Sequence, residues 1–321
     1  MKPYTIRFAW VLLFAGALWA WPSAGWARIS LEALQRDGYG MVELKRPQPN
    51  VLTVTATVNG RSARLIVDTG WSREGITVDS EYGKALRSPT ESVMDFGRAG
   101  SGKELAGIRK GVADIVSLGN VQMRQVPTFF GTIGSLQHAH IRRTVNADGF
   151  IGSGFLRTCS GIIDLHNLRL YLRPPGTGRR AMIGPALKAA GLAEVPFAID
   201  QNRCLIDVEV NGAAGKMVVD TGATVAGVDA RFAPQMKVVG YSSRIGSIDA
   251  AGVTAATTLT NLRSFKIAGV GARAPDMRMG KFAFYQATGG KVIGLLGMDI
   301  MGANGTIIDF GQQKLYFYPL Q

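Results

Sequence analysis

Residues 58–70 read VNGRSARLIVDTG and residues 210–222 read VNGAAGKMVVDTG, so one pattern of 13 positions stands twice in a chain of 321 residues. Seven of the 13 are identical, and Arg64/Lys216, Leu65/Met217 and Ile66/Val218 exchange like for like. An alternating run precedes each copy, VLTVTATV at 51–58 and CLIDVEV at 204–210. Each run passes through Asn-Gly into a second apolar run, which is the signature of a β-hairpin. Both hairpins end on an acid, in Asp68-Thr69-Gly70 and Asp220-Thr221-Gly222.

A second pair of blocks follows in the same order. GFIGSGFL at 149–156 is followed by GIIDLHNLRLYL, and GLLGMDIM at 294–301 by TIIDFGQQKLYF. Gly152 maps onto Gly297 and Asp164 onto Asp309 at an offset of 145, against 152 for Asp68 and Asp220. Two matched blocks at nearly constant offset mark a duplication. Lobes are expected over 45–172 and 195–321. Residues 28–44 form a leader with a small helix after Ser30 ended by Gly38, and 173–194 a linker with a short helix in PALKAAGLA. With 41 glycines, 13 prolines and β-branched residues throughout, the expected fold is all-β: two barrel-like lobes with a cleft between them.

One Asp-Thr-Gly is weak evidence, because Asp, Thr and Gly also make an ordinary turn. That reading explains neither an apolar strand running straight into an acid nor the duplicated context. Peptide hydrolysis explains both. Two carboxyls held close together cannot both ionise, so they share one proton. The ionised member takes a proton from a water that attacks the scissile carbonyl, and the protonated member donates to the carbonyl oxygen. Glycine lets each loop turn its acid towards the partner.

These motifs resemble those of the pepsin-like and retropepsin-like aspartic peptidases, most closely the bacterial two-lobed branch with retropepsin-like lobes. The likeness includes a second signature in each lobe, Phe150-Ile151-Gly152 and Leu295-Leu296-Gly297. It implies an aspartic endopeptidase with Asp68 and Asp220 as the catalytic dyad and no cofactor or metal. Thr69 and Thr221 would bond across the lobes, Gly70 and Gly222 would permit the loop shape, and the second signature would thread beside each loop. Glycine-rich segments FGRAGSG at 96–102, with Gly100 and Gly102, and GSIDAAG at 246–252 would be flaps over the cleft. Asp164 and Asp309 are expected to form turns.

The pattern is broken at one place. A small residue is expected after each triplet, and Ala223 fits, but lobe 1 has Trp71. Trp71 and Ala223 are candidate substrate-contacting residues. A Trp beside the dyad shapes a pocket, replaces a contact or crowds the site, and these alternatives stay open. The competing class is a catalytically inactive peptide-binding or scaffold protein of the same fold.

The first 27 residues differ from the rest. Lys2 and Arg7 precede an apolar stretch at 8–21, and Ser23, Ala24, Gly25 and Ala27 follow. That layout predicts a secretory signal cleaved after Ala27 and a bacterial periplasmic destination, with an uncleaved membrane tether as the alternative. Without it, 34 basic stand against 23 acidic residues, scattered apart from pairs such as Arg142-Arg143. Such a surface favours weak contact with anionic membrane or cell-wall polymers, and no nucleic-acid partner is expected outside the cytoplasm. A monomer is expected, with a peptide or protein as substrate. Cys159 and Cys204 flank the lobe junction as two buried thiols or as a bridge. His138 and His140 are spaced for one face of a strand, without a third metal ligand to join them.

Overall fold

The computed structural model describes residues 29–83, 91–93, 103, 105–238, 240–249, 252 and 254–320. The expected signal segment 1–27 and the FGRAGSG stretch, with Gly100 and Gly102, lie outside the described residues. The two Asn-Gly turns close alike: φ is 47° and 83° at Asn59 and Gly60, and 49° and 86° at Asn211 and Gly212. These left-handed angles match the twist of the flanking strands and suit Asn and Gly. The hairpins they join are Val51–Val58 with Arg61–Asp68, and Arg203–Val210 with Ala213–Val219.

In lobe 1, Arg61–Asp68 lies between Val51–Val58 and Gly149–Gly152, followed by Ile76–Val78, Val121–Phe130 and Arg109–Leu118. The sheet curls back on itself where Val58 pairs with Val116. Lobe 2 repeats the order with Ala213–Val219, Val292–Leu296, Gly227–Asp229, Met277–Gly280 and Thr254–Thr260. Beyond Ala213–Val219, the strand Arg203–Val210 pairs with Phe265–Ile267, with Val210 opposite Phe265. Alternation along Val51–Val58 buries one face, with Leu52, Val54, Ala56 and Val58 all buried, while the central strands Ile76–Val78, Gly149–Gly152 and Gly227–Asp229 are buried throughout.

A third sheet of six strands joins the halves. Its order is Gly40–Glu43, Arg169–Leu172, Ile162–Asp164, Ile307–Asp309, Lys314–Phe317 and Ala193–Pro196. The central pair sets Ile163 against Ile308, so each half supplies three strands. Beneath the sheet, the helices Leu31–Arg36 and Gly184–Ala189 bury Leu34 and Leu187 in one cluster with Ile162, Ile307, Tyr171 and Tyr316. The Ser30 hydroxyl caps the first helix by accepting from the Ala33 N–H at 3.2 Å. Both helices end alike. Gly38 and Gly191 each have φ of 87°, and Tyr39 and Leu192 donate back to the Leu34 and Leu187 carbonyls at 3.0 and 3.1 Å. The same helix–turn–strand unit therefore opens both halves.

Asp164 and Asp309 form turns as expected. Asp164 Oδ1 accepts from the N–H groups of His166 and Asn167, and Asp309 Oδ1 from that of Gln312. Cys159 and Cys204 are free, buried thiols, and burial pushes both up to about 12, far from a reactive thiolate. The strand expected around His138 and His140 is absent. His138 caps the helix Ala139–Thr144, its Nδ1 accepting from the His140 N–H at 3.3 Å. Two alternating histidines are too short a run to outweigh that local cap. Among the described residues, no group of three His, Cys, Asp or Glu stands together to hold a metal, and no helix is long and apolar enough to cross a membrane.

Candidate active site

Asp68 ends its strand and Asp220 directly follows the equivalent one, each strand clamped from one side by the second signature of its own lobe. Val67 and Asp68 pair in parallel with Ile151 and Gly152, and Val218 and Val219 with Leu295 and Leu296. The approach is close enough to require glycine. A Cβ on Gly152 would overlap the Trp71 carbonyl, and one on Gly297 would lie 2.5 Å from the Ala226 nitrogen. The expected threading of Phe150-Ile151-Gly152 and Leu295-Leu296-Gly297 beside the loops is thus present.

The threonines then lock the loops together. Thr69 Oγ1 donates to the Val219 carbonyl at 2.6 Å and accepts from the Thr221 N–H at 2.9 Å. Thr221 Oγ1 donates to the Val67 carbonyl at 2.7 Å and accepts from the Thr69 N–H at 3.0 Å. Both threonines are buried, so all four bonds lie out of water, where a lost partner is costly. Outside this lattice, Asn50 Nδ2 donates to the Thr224 carbonyl at 2.9 Å, a further tie between the lobes.

Gly70 and Gly222 face the opposite acid rather than their own. A Cβ at Gly70 would sit 2.7 Å from the Asp220 carboxyl, and one at Gly222 would overlap that of Asp68. The two carboxyls are thus brought face to face across the loops. Burial, then the charge of Asp220, holds Asp68 well above the ordinary carboxylate range. Burial raises Asp220 as well, opposed by N–H groups of Gly222 and Ala223 that donate to its Oδ1 at 2.8 and 3.2 Å. Two raised carboxyls that face each other share one proton in such a low-dielectric setting, which separates their two titration steps.

The Trp71 backbone N–H donates to Asp68 Oδ1 at 3.1 Å. Its indole stacks on Phe150 with centroids 4.8 Å apart, and Nε1 donates to Thr77 Oγ1 at 2.8 Å. Ala223, its counterpart, is half-buried. Of the segment GSIDAAG, residues 246–249 and 252 are described, and Ile248 pairs with Thr254 near the tip of a hairpin. Gly252 in that tip comes so near lobe 1 that a Cβ there would lie 3.0 Å from the Gly134 backbone.

One residue escaped the motif reading. Asp299, in the helix Met298–Ala303 after the second signature, accepts from the Ala226 N–H at 2.8 Å and so pins the loop that leaves Asp220. Burial raises its carboxyl above the ordinary range. Its counterpart in lobe 1 is Gly154, so a search for what the two copies share passes over it.

Residues 206–300 match the family model described as aspartyl protease. No curated protein matches the chain. Among solved structures, the aspartic proteinase from Irpex lacteus is similar at 10% identity and a TM-score of 0.48, covering 88% of this chain and 98% of that one. By its paired Asp-Thr-Gly motifs and by its all-β, two-lobed fold, the chain resembles the aspartic peptidases.

Proposed function

We propose that this protein is an aspartic endopeptidase that hydrolyses peptide bonds with a water activated between Asp68 and Asp220. The observation that carries this reading is the facing pair of acids, both raised by burial, on loops fixed by reciprocal threonine bonds. The Asp220 carboxylate takes a proton from water, whose oxygen bonds to the scissile carbonyl carbon while Asp68 gives its proton to the carbonyl oxygen. The resulting gem-diol then collapses. Its C–N bond breaks as Asp220 passes its proton to the leaving nitrogen, and a diol hydroxyl returns a proton to Asp68. A carboxylic acid and an amine leave, and the dyad is restored. Since one chain supplies both acids, a monomer suffices.

The competing class is an inactive binding protein in which Trp71 crowds the dyad. Its ring is instead engaged by Phe150 and Thr77, which favours the enzyme. The test is Asp68→Asn and Asp220→Asn, each of which should lower cleavage of a peptide library by roughly 10²–10⁴-fold or more while the fold persists by circular dichroism. Parental rates in either folded variant would refute the mechanism. The reading includes export to a bacterial periplasm with cleavage after Ala27, supported by the charge and hydropathy pattern of 1–27; the mass of the mature N-terminus checks it.

A further inference from the structure

The same positions flank the acid in each lobe, and strand register matches them one by one. Trp71 and Ala223 each follow the glycine of their triplet. Phe150 and Leu295 correspond because Ile66 pairs with Phe150 and Val218 with Leu295. Thr77 and Gly227 correspond because they pair with Phe150 and Leu295 in turn.

In lobe 1 these positions form one packed unit. The Trp71 indole lies flat on Phe150 and is tied to Thr77, and Ile108, Phe129 and Ile133 complete the cluster. Trp71 is 7% exposed, Phe150 4% and Thr77 0%. In lobe 2 an indole becomes a methyl, a phenyl becomes an isobutyl group, and a threonine becomes glycine. Ala223 and Leu295 are half-buried, and Gly222 is exposed. The ring of Phe282, itself half-buried, stands 3.1 Å from where a Gly227 Cβ would be. Space packed to native density does not admit a further large side chain without displacing its occupants. Part-exposed apolar surface gains free energy when a side chain covers it.

We propose that Trp71 determines specificity by filling the apolar pocket beside Asp68, so that the substrate side chain against lobe 1 must be small, while the one against lobe 2, over Ala223, Leu295 and Phe282, is large and apolar. The proposal rests on the peptidase reading of the dyad. It makes the preferred bond one between a small and a bulky residue.

The test is a library in which the residues on the two sides of the scissile bond vary independently among Gly, Ala, Leu and Phe. On one side, Gly and Ala should exceed Leu and Phe by about tenfold or more in kcat/KM, with the reverse on the other. Trp71→Leu, and the more severe Trp71→Ala, should relax the restricted side by a similar factor without changing the other. Equal acceptance of Phe on both sides by the parent overturns the proposal, as does an unchanged profile in folded Trp71→Leu. Calorimetry with non-cleavable statine peptides on Asp68→Asn reads the same preference without chemistry. Discrimination there, with no turnover by the parent, overturns the peptidase reading alone; no discrimination overturns the specificity role.

Discussion

Thr69 and Thr221 each carry two of the four bonds that join the acid-bearing loops, and each does so across the lobe boundary. Replacing Thr69 with Val strands the Val219 carbonyl and the Thr221 N–H in a buried site, at a cost of about 1–3 kcal/mol per group. Thr69→Val or Thr221→Val should therefore lower stability by roughly 2–5 kcal/mol in urea denaturation. The double variant should lose less than the sum, since the four bonds act as one unit. A full sum would mean that the two threonines act independently. The acids and threonines were legible from two copies of one triplet. The orientation of Trp71 was not, because it depends on a stacking partner 79 residues away in sequence.

At the scale of elements, the unit that most repays attention is the short helix with its left-handed glycine and following strand. Residues 31–43 and 184–196 share only Ala33/Ala186, Leu34/Leu187, Gly38/Gly191 and Val42/Val195, too little to stand out as a repeat. The conserved geometry rests on those few positions, which supply the buried anchor, the φ of 87° and the strand that follows. The hairpins were easier to recognise, since alternation and Asn-Gly are both local signals. The expected leader 28–44 holds the outer strand Gly40–Glu43, and the outer strand Ala193–Pro196 begins in the expected linker 173–194 and runs into lobe 2. Leu34→Ala and Leu187→Ala should each cost about 2–5 kcal/mol, because each empties a core site beneath that sheet. Thermal denaturation checks this, and equal losses for the pair would mark the two units as equivalent supports.

The whole molecule should respond to pH through a group remote from the cleft. Asp309 ends a central strand of the shared sheet, 1% exposed, and burial raises it from 3.8 to about 6. The Gln312 N–H and the charges of Arg180 and Lys314 only partly offset that burial. A raised carboxyl favours the folded state while it keeps its proton. Its contribution is complete below pH 3.8 and is lost as pH rises through about 6. The loss amounts to roughly 3 kcal/mol. Asp309→Asn should flatten this limb in denaturation curves recorded between about pH 4 and 7; an unchanged slope would assign the dependence elsewhere.

The same sheet has a consequence for the chain as a thread. Its centre, where Ile163 meets Ile308, joins the halves without using the peptide that runs between them, and the threonine lattice does so again at the cleft. The connection passes through an exposed turn at Gly176, where a Cβ would meet nothing within 4 Å. A protease site inserted there and cut after folding should leave one particle of unchanged mass by light scattering, with its two acids still facing. Covalent continuity at the midpoint would then serve to bring the halves together during folding, and have no further part once they have met.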